Sequence, residues 1–313
     1  MMSSLPYQDD FLLHIQANNY SEETRYNYER DLQTFALFLE SELSLPFNET
    51  TKRTIEQFKA YLNSRDRKTA EGAPGEKHLS SGTINRYLTS LRRYLSYLID
   101  MDLPAPLDPS SIKLLRREKK HPQVAEFEAL IQLIEAPMRF ERNTLVALRN
   151  RAMLETLFAS GMRISELINL KKNQLDPSGK IFIEGKGKKQ RFIYLTDRAK
   201  KHIARYLDKR DDDLPYLFVP KRGLNAHDKT KHISPNYLQM KIKKYRELLG
   251  INVPTSAHSL RHGFATYLAE KGANPAAIQI LLGHESLDTT TRYVHASDKY
   301  AEDSHRKFHP LKE

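Results

Sequence analysis

Apolar residues recur every three or four positions through most of the first hundred residues, which is the spacing of one face of an α-helix. Three such series are present: Tyr26, Leu32, Phe35, Phe38 and Leu39; Ile55, Phe58 and Leu62; and Ile84, Leu88, Leu91, Leu95 and Leu98. Ser21 precedes the first series and Ser80 and Ser81 precede the third, and a serine hydroxyl is suited to cap a helix start. Residues 65–78 are polar, contain Gly and Pro, and predict a loop. The first region is therefore predicted to be all-α.

The pattern beyond residue 122 mixes helical and strand spacing. Helices are predicted over Val124–Glu135, over Leu145–Ala159 with Gly161 ending it, over Ala199–Leu207 with Thr196 capping it, and from Ser234 onward. The β-rich runs IFIEG and RFIYL lie around GKGKKQ and predict a hairpin, and LFVP predicts a further strand. The second region is therefore predicted to be a mixed α+β domain, mainly helical, with a small antiparallel sheet.

A change of composition separates the two regions. Residues 102–122 contain four prolines and the basic run KLLRREKKHP, which has five Lys or Arg and one Glu. Prolines stop helices, and like charges extend a chain. We therefore predict a first domain over 1–105, a basic linker over 106–122 and a second domain over 123–313. Such a linker can follow a phosphate backbone, although an ordinary solvated linker has the same composition.

Charge and cysteine content narrow the classes of function. The 313 residues have a formal net charge of +11 and no cysteine. The positive surplus favours a polyanionic partner, with nucleic acid ahead of an acidic membrane surface, while a solvated basic surface stays open. Without cysteine, disulfides, thiolate nucleophiles and cysteine metal sites are excluded. No signal peptide is recognisable and no apolar run reaches the ~18 residues of a membrane span, so a cytoplasmic protein without membrane attachment is predicted.

Five places in the second region hold polar or basic groups that the periodic pattern does not require. They are Arg163 with Glu166 in GMRISELINL, Lys186 in the hairpin turn, His258 and Arg261 in HSLRH, His284 in LLGHES, and Tyr293 in TTRYVH. Each taken alone is also explained by a surface cation, a helix cap or a packed aromatic ring. Glu166 follows Arg163 by three residues, which is close enough for the two to pair on one helix face.

A metal site is not indicated by these residues. His258 and His262 are four apart on a predicted helix, a spacing that can bind zinc. The metalloprotease pattern requires Glu directly after the first His, and Ser259 occupies that position. Clustered carboxylates for magnesium are also missing from these motifs, so no metal and no cofactor are predicted.

Taken in order, Arg163, Lys186, His258, Arg261, His284 and Tyr293 resemble the six-residue active site of the tyrosine recombinase, or phage integrase, family. GMRISEL resembles the family's first arginine box and HSLRHGFATYLAEKG its His-x-x-Arg box. IQILLGHESLDTTTRYVH resembles the box in which a His or Trp is followed nine residues later by the nucleophilic Tyr. The resemblance is densest over residues 145–295. It implies an all-α, SAM-like core-binding domain followed by a catalytic domain. Size, layout and the closing FHPLKE resemble the Xer-like branch.

The resemblance implies a role for each residue, and the chemistry suits the residue types. Arg163 and Arg261 would grip the non-bridging phosphate oxygens, because a guanidinium fork binds oxygens in pairs and stays charged. His284 would be a third donor to those oxygens. Tyr293 would be the nucleophile, and its phenol, with an ordinary pKa of about 10, needs neighbouring cations to ionise.

The remaining roles concern protons. Lys186 would protonate the 5′-hydroxyl leaving group as a general acid, although Lys188 and Lys189 in the same turn are not excluded by sequence and are otherwise expected to contact DNA. His258 would hold or exchange the nucleophile's proton. Glu166 would orient Arg163 or the histidine.

The resemblance also implies partners. The two domains would clamp duplex DNA at a recombination site, and residues on the first domain and the linker would contact it. These expected DNA contacts are Arg86, Arg92, Arg93, Arg116, Arg117 and Lys119. The tail 297–313 would form a helix that docks on a neighbouring protomer, which would give a homo-tetramer or a hetero-tetramer with a paralogue. A DNA-translocase regulator and a nucleoid-associated location would fit that assembly.

The predicted function is therefore a site-specific DNA recombinase that acts through a 3′-phosphotyrosine and Holliday-junction strand exchange, with dimer resolution of chromosomes or plasmids as the Xer-like role. An integrase or transposase of a mobile element would use the same chemistry. A type IB topoisomerase, a non-catalytic architectural DNA-binding protein and a metal-dependent nuclease are the other classes considered.

Overall fold

The computed structural model describes residues 4–64, 79–116, 125–184, 190–223 and 228–283. The chain divides into two compact units, Met1–Lys120 and His121–Glu313. Each unit has its own buried apolar core.

The described part of the first domain is helical, as predicted. Its α-helices are α1 (Gln8–Ala17), α2 (Glu22–Phe38, continued by a π-helical turn over Leu39–Leu43), α3 (Lys52–Asn63) and α4 (Ser81–Asp100). Side-chain hydroxyls start three of them: Ser21 accepts from Thr24 N, Thr51 from Thr54 N, and Ser80 from Thr83 N. The predicted serine caps are confirmed, with Ser80 as the cap of α4.

Aromatic rings fill the core of the first domain. Phe11, Phe35, Phe58 and Tyr94 are fully buried. The rings of Phe35 and Phe58 meet edge to face with centroids 4.8 Å apart, a geometry that adds to the gain from burial. The helical spacing of the sequence therefore places its aromatic residues on the faces that α2, α3 and α4 turn toward one another.

The segment after α4 packs on the first domain. Ile112 is completely buried in its core. Asn85 on α4 exchanges two hydrogen bonds with the backbone of Leu115, at 2.9 Å and 2.7 Å. Arg92 donates from Nε to the carbonyl of Pro109. The stretch predicted as a linker from 106 therefore starts as an ordered part of the first domain at least to Leu115, while residues 117–122 lie outside the described residues.

The second domain combines helices with a two-stranded sheet. Its elements are α5 (Phe127–Phe140), α6 (Thr144–Ser160), α7 (Ile164–Ile168), β1 (Lys180–Glu184), β2 (Gln190–Tyr194), α8 (Asp197–Leu207), α9 (Pro235–Leu248), α10 (Ala257–Glu270) and α11 (Pro275–Leu282). Gly161 ends α6, and Thr196 and Ser234 cap α8 and α9, as predicted. The strands pair antiparallel in a register that puts Ile183 opposite Arg191, which confirms the hairpin.

The strand predicted at LFVP, residues 217–220, is wrong. These residues belong to no strand. The chain there is held by single backbone bonds, from Leu217 N to Leu170 O and from Ile233 N to Phe218 O, next to one isolated bridge between Lys171 and Tyr216. The β-rich composition reflects burial of Leu217 and Phe218, because buried apolar runs look alike whether or not a ladder forms.

Helix α6 is the centre of the second domain and is buried on nearly every face. It packs against α5, α8 and α10. Even its polar residues are enclosed: Asn150 is 0% exposed and donates to the hydroxyls of Tyr237 and Tyr245 on α9. Buried polar groups need such partners. The network fixes α9 against α6 and so gives the end of α6 a defined position.

No helix within the described ranges is long and apolar enough to cross a membrane.

The placement of Ile112 generates a stability prediction. Replacing Ile112 with Ala removes methyl and methylene groups from a filled core, so we expect the first domain to lose about 2–5 kcal/mol of its free energy of unfolding. The measurement is urea unfolding of the full chain followed by circular dichroism and tyrosine fluorescence. Leu114→Ala is the matched control, since Leu114 is 43% exposed, and it should change stability by less than about 0.5 kcal/mol. Equal effects of the two variants would contradict the assignment of this segment to the first domain.

Candidate active site

The turn at the end of α6 positions the first candidate residue. Gly161 adopts a left-handed backbone conformation with φ of 63°, which glycine adopts without a steric penalty. A Cβ atom here would lie 2.3 Å from the ring of Phe264 on α10. The turn sends the chain into α7, and Arg163 occupies the position just before its first residue.

Glu166 holds Arg163 by both its backbone and its side chain. Its Oε2 accepts from Arg163 N at 2.7 Å and its Oε1 from Arg163 Nη1 at 3.0 Å, so the pairing predicted from their spacing is confirmed. The Glu166 side chain is 4% exposed and that of Arg163 is 37% exposed. One buried carboxylate therefore orients an arginine that still reaches solvent.

Arg191 on β2 grips the same carboxylate from the other side. Its Nη1 donates to Oε1 at 2.8 Å and its Nη2 to Oε2 at 2.7 Å, a bidentate arrangement that is among the strongest side-chain pairings. Burial alone would raise the pKa of Glu166, but the hydrogen bonds from Arg191 and Arg163 outweigh it and lower that pKa. Glu166 is consequently an anion at neutral pH.

Arg261 joins two helix ends. It lies on α10 and is 3% exposed. Its Nη1 donates to the carbonyl of Gly161 at 2.7 Å and its Nη2 to the carbonyl of Leu282 at 2.6 Å. The last carbonyls of a helix lack partners within the helix and carry partial negative charge. Arg261 therefore fixes the end of α11 against the turn that precedes Arg163.

Three consecutive carbonyls at the end of α11 each accept from a different arginine. Arg191 Nε donates to Leu281 O at 3.0 Å, Arg261 Nη2 to Leu282 O, and Arg163 Nη2 to Gly283 O at 3.3 Å. Arg191 comes from β2, Arg261 from α10, and Arg163 from the position just before α7. We call this set the α11 arginine cluster. It gathers three positive charges immediately before His284.

His258 lies on the same helix as Arg261, one turn earlier and at the surface. Its ring stands perpendicular to that of His262 with centroids 4.2 Å apart. Partial burial of the ring and the positive charges of Arg261 and Arg163 lower the pKa of His258. It is therefore neutral near pH 7 and able to accept a proton. Among the described residues, no three His, Asp or Glu side chains gather as a metal site would require.

Several predicted residues lie outside the described ones. They are Arg117, Lys119, Lys186, Lys188, Lys189, His284 and Tyr293. The structure does describe the residues on either side of Lys186 and the residue before His284. Strand β1 ends at Glu184, β2 begins at Gln190, and α11 ends directly before Gly283. The chain that bears Lys186 thus rejoins the described residues at Gln190, directly before Arg191, and His284 follows Gly283, whose carbonyl accepts from Arg163.

The arginines predicted to contact DNA from the first domain have unequal surroundings. Arg93 and Arg116 are exposed. Arg86 pairs with buried Asp31, with Nη1 and Oδ1 2.5 Å apart, and Arg92 is engaged with Pro109. The last two therefore have structural partners in addition to any contact with DNA.

Comparison with known proteins identifies the family. The model of the phage integrase family matches residues 124–300, and the model of the phage integrase N-terminal SAM-like domain matches residues 9–102. The chain belongs to the phage integrase family. The predicted two-domain fold, with a SAM-like first domain and a tyrosine recombinase catalytic domain, is thereby confirmed.

Curated relatives extend the match over nearly the whole chain. Tyrosine recombinase XerC of Lactobacillus delbrueckii subsp. bulgaricus is 30% identical over 97% of this chain and 99% of its own length. Tyrosine recombinase XerD of Staphylococcus haemolyticus is 30% identical over 93% of each. The resemblance to the Xer branch is thus confirmed. The sequence identity is 30% to both the XerC and the XerD relative.

Solved structures agree on the fold. XerH site-specific recombinase bound to a palindromic difH substrate has a TM-score of 0.70 at 23% identity and covers 92% of this chain and 81% of that one. The Tn1549 transposon integrase in complex with a circular intermediate DNA has a TM-score of 0.69 at 20% identity and covers 97% and 100%. At sequence identities of 23% and 20%, these matches show that the integrase-family chain shares the fold of the two solved structures.

Arg191 is the site contact that the sequence analysis did not identify. It lies in RFIYL, where a charged first residue is compatible with a solvated strand end. One signal was present: strand alternation puts Arg191 on the same side as Ile193, which is completely buried. A charge on the inward side of a strand requires a partner, but the sequence does not indicate which one.

The crowding at Gly161 generates the second prediction. A left-handed alanine costs about 1–2 kcal/mol in backbone strain. We expect Gly161→Ala to lower the free energy of unfolding of the catalytic domain by more than this, because the added Cβ would also collide with Phe264 and lie 3.1 Å from Leu282. Gly250→Ala is the matched control, since Gly250 has φ of 68° and no other atom within 4 Å of an added Cβ. Thermal unfolding of both variants gives the comparison. Equal losses of stability would mean that α10 and α11 do not pack against this turn as described.

Proposed function

We propose that this chain is a site-specific DNA recombinase that cleaves duplex DNA through a covalent 3′-phosphotyrosine at Tyr293. The observation that carries the proposal is the α11 arginine cluster. Arg163 and Arg261 are far apart in sequence, yet they donate to the consecutive carbonyls of Gly283 and Leu282. Their guanidinium groups therefore share one location, directly before His284. A pair of cations at one point fits a single phosphodiester.

Arg163 is suited to bind the phosphate directly. Its contacts with described residues use one N–H on each Nη, so three of its five donors are left for phosphate oxygens. Glu166 holds the guanidinium in place before DNA arrives. Arg261 adds a second positive charge from a buried position, where charges act over a lower dielectric. Together they stabilise the negative charge that develops on the phosphorus oxygens as the bond breaks.

The attacking group in the proposal is the phenol of Tyr293. The same cations that bind the phosphate favour the phenolate. His258 accepts the phenolic proton, for which its lowered pKa keeps it neutral at physiological pH. The P–O bond to the 5′ oxygen breaks as the P–O bond to tyrosine forms, and Lys186 gives the leaving 5′ oxygen its proton. The diester is conserved, so a different 5′-hydroxyl can reverse the step without ATP.

The biological role proposed is that of an Xer-type recombinase, which resolves chromosome or plasmid dimers. Relatives named XerC and XerD that match over nearly the full length support it. With it we propose a synaptic homo-tetramer, or a hetero-tetramer with a paralogue, in the cytoplasm at the nucleoid, and control by a DNA translocase. A mobile-element integrase is the second candidate, because the Tn1549 transposon integrase matches the fold as well as XerH does.

Trapping the covalent complex tests the chemistry. On a nicked suicide duplex that loses its 5′-hydroxyl fragment, we expect the unaltered chain to form a stable protein–DNA adduct in excess EDTA. Tyr293→Phe removes only the attacking oxygen, so it should bind DNA normally and form no adduct. Tyr300→Phe is the matched control and should form the adduct. Cleavage by Tyr293→Phe, or an absolute need for metal, would refute the mechanism. Sequencing the captured DNA from cells separates a chromosomal site from the ends of a mobile element.

The role of Lys186 has its own test. Lys186→Ala should slow cleavage of ordinary DNA by about 100-fold or more, the usual contribution of general acid catalysis. A substrate with sulfur in place of the 5′ bridging oxygen should restore the rate. A thiol has a pKa of about 8.5, so the sulfur leaves as a thiolate and needs no proton. Lys188→Ala and Lys189→Ala are the matched controls and should show no sulfur-specific rescue. If the sulfur substrate restores the cleavage rate of the Lys188 or Lys189 variant and not that of the Lys186 variant, the general acid is that other lysine.

A further inference from the structure

The residue that connects the parts of the site is Arg191, to which the proposed mechanism assigns no role. We propose that Arg191 is a positioning residue of the recombinase. By gripping Glu166 and the carbonyl of Leu281 together, it sets Arg163 relative to the end of α11, and hence to the chain that continues into His284. The inference rests on the function proposed above.

The first support is that Arg191 bridges two elements, α7 and α11. Its Nη1 and Nη2 hold both oxygens of Glu166 on α7, while its Nε holds Leu281 O on α11. Arg163 spans the same two elements through Glu166 Oε1 and Gly283 O. The two arginines thus bridge α7 and α11 in parallel, one buried and the other reaching solvent. Of these two bridges, the buried one has the shorter side-chain contacts, and it acts beside the bond by which Arg261 holds Leu282 O.

The second support is the rigidity of the residue that carries the bridge. Arg191 pairs with Ile183 in the β1–β2 ladder, and its side chain is 8% exposed. Buried side chains held by packing and hydrogen bonds keep one geometry. Arg191 also lies only five residues after Lys186 in the chain. It therefore ties the strand that leaves the hairpin turn to the same point as the phosphate-binding arginines.

The third support is the close approach of Gly283. A Cβ on Gly283 would lie 3.0 Å from Cδ and 3.1 Å from Nη1 of Arg191. Gly283 also has φ of 63°, which favours glycine. The last turn of α11 is thus shaped to let the guanidinium pass against its backbone. A residue needed only to neutralise Glu166 would not require contact with α11.

Lysine cannot replace this guanidinium. The three contacts use three nitrogen atoms of one plane, two aimed at the carboxylate and one at the carbonyl. A lysine ammonium is a single nitrogen on a flexible stem, so it can balance the charge of Glu166 but cannot reproduce the three directions. Arg191→Lys therefore separates charge balance from positioning.

The experiment compares binding with cleavage in the full-length protein on the suicide duplex. For Arg191→Lys we expect a DNA Kd within about twofold of the unaltered chain. The maximal single-turnover rate of adduct formation should fall about tenfold or more, as a small misplacement of catalytic groups can do. Arg198→Lys is the matched control, because Arg198 bridges Glu155 and Glu135 in the same domain at 2.8 Å and 3.0 Å. It should leave both quantities unchanged.

A neutral pair keeps the test decisive if Arg191→Lys folds poorly. In Glu166→Gln/Arg191→Met, the two buried charges are removed together, and the charge that remains is that of Arg163, whose side chain is 37% exposed. The thermal stability should therefore lie near that of the unaltered chain. Glu166→Gln alone is the reference, because it loses the same carboxylate from Arg163 but keeps Arg191. Positioning predicts that adduct formation in the pair is at least about tenfold slower than in this reference. Recovery of both stability and rate would show that Arg191 only balances a buried charge, and would overturn the inference.

Two outcomes separate the inference from the function it rests on. If the unaltered chain forms the Tyr293 adduct and Arg191→Lys forms it equally fast, the positioning role is wrong and the recombinase mechanism stands. If the unaltered chain forms no adduct, the proposed function fails and the inference fails with it.

Discussion

The buried carboxylate of Glu166 is the interaction on which the candidate site depends. It lies between Arg163, at the start of α7, and Arg191 on β2, and it accepts four hydrogen bonds at 3.0 Å or less. A buried anion is costly unless every lone pair has a partner, and here the partners come from the elements that must be aligned. Satisfying Glu166 therefore brings the hairpin strand and the α7 turn into one arrangement.

The same principle operates at the end of α11. Its unpaired carbonyls carry partial negative charge and would be costly to bury without donors. Arg191, Arg261 and Arg163 satisfy three of them. The positive charges that the proposed mechanism assigns to the phosphodiester are thus held in place without DNA, by the backbone at the end of α11. Preorganised charge of this kind needs no rearrangement at the moment of reaction.

Much of this could be predicted from the sequence because it depends on local patterns. The helix caps, the hairpin and the Arg163–Glu166 pair all depend on spacings of a few residues, and the ordered set of motifs identified the family. Features that depend on contacts between residues far apart in the chain could not be predicted in this way. LFVP resembled a strand because its residues are buried. The linker over residues 106–122 was predicted from prolines and a basic run, and this pattern does not show that Ile112 is anchored in the first core. Arg191 was missed because its partners, Glu166 and Leu281, lie far from it in the chain.

The most direct test of the account is the chemical identity of the bond between protein and DNA. The adduct formed by the unaltered chain in EDTA can be digested and its nucleotide-bearing peptide sequenced by mass spectrometry. The proposed mechanism predicts one linked peptide, which contains Tyr293 from TTRYVH with the 3′ phosphate esterified to its phenolic oxygen. A linkage to another residue, or DNA hydrolysed without any linked peptide, would contradict it.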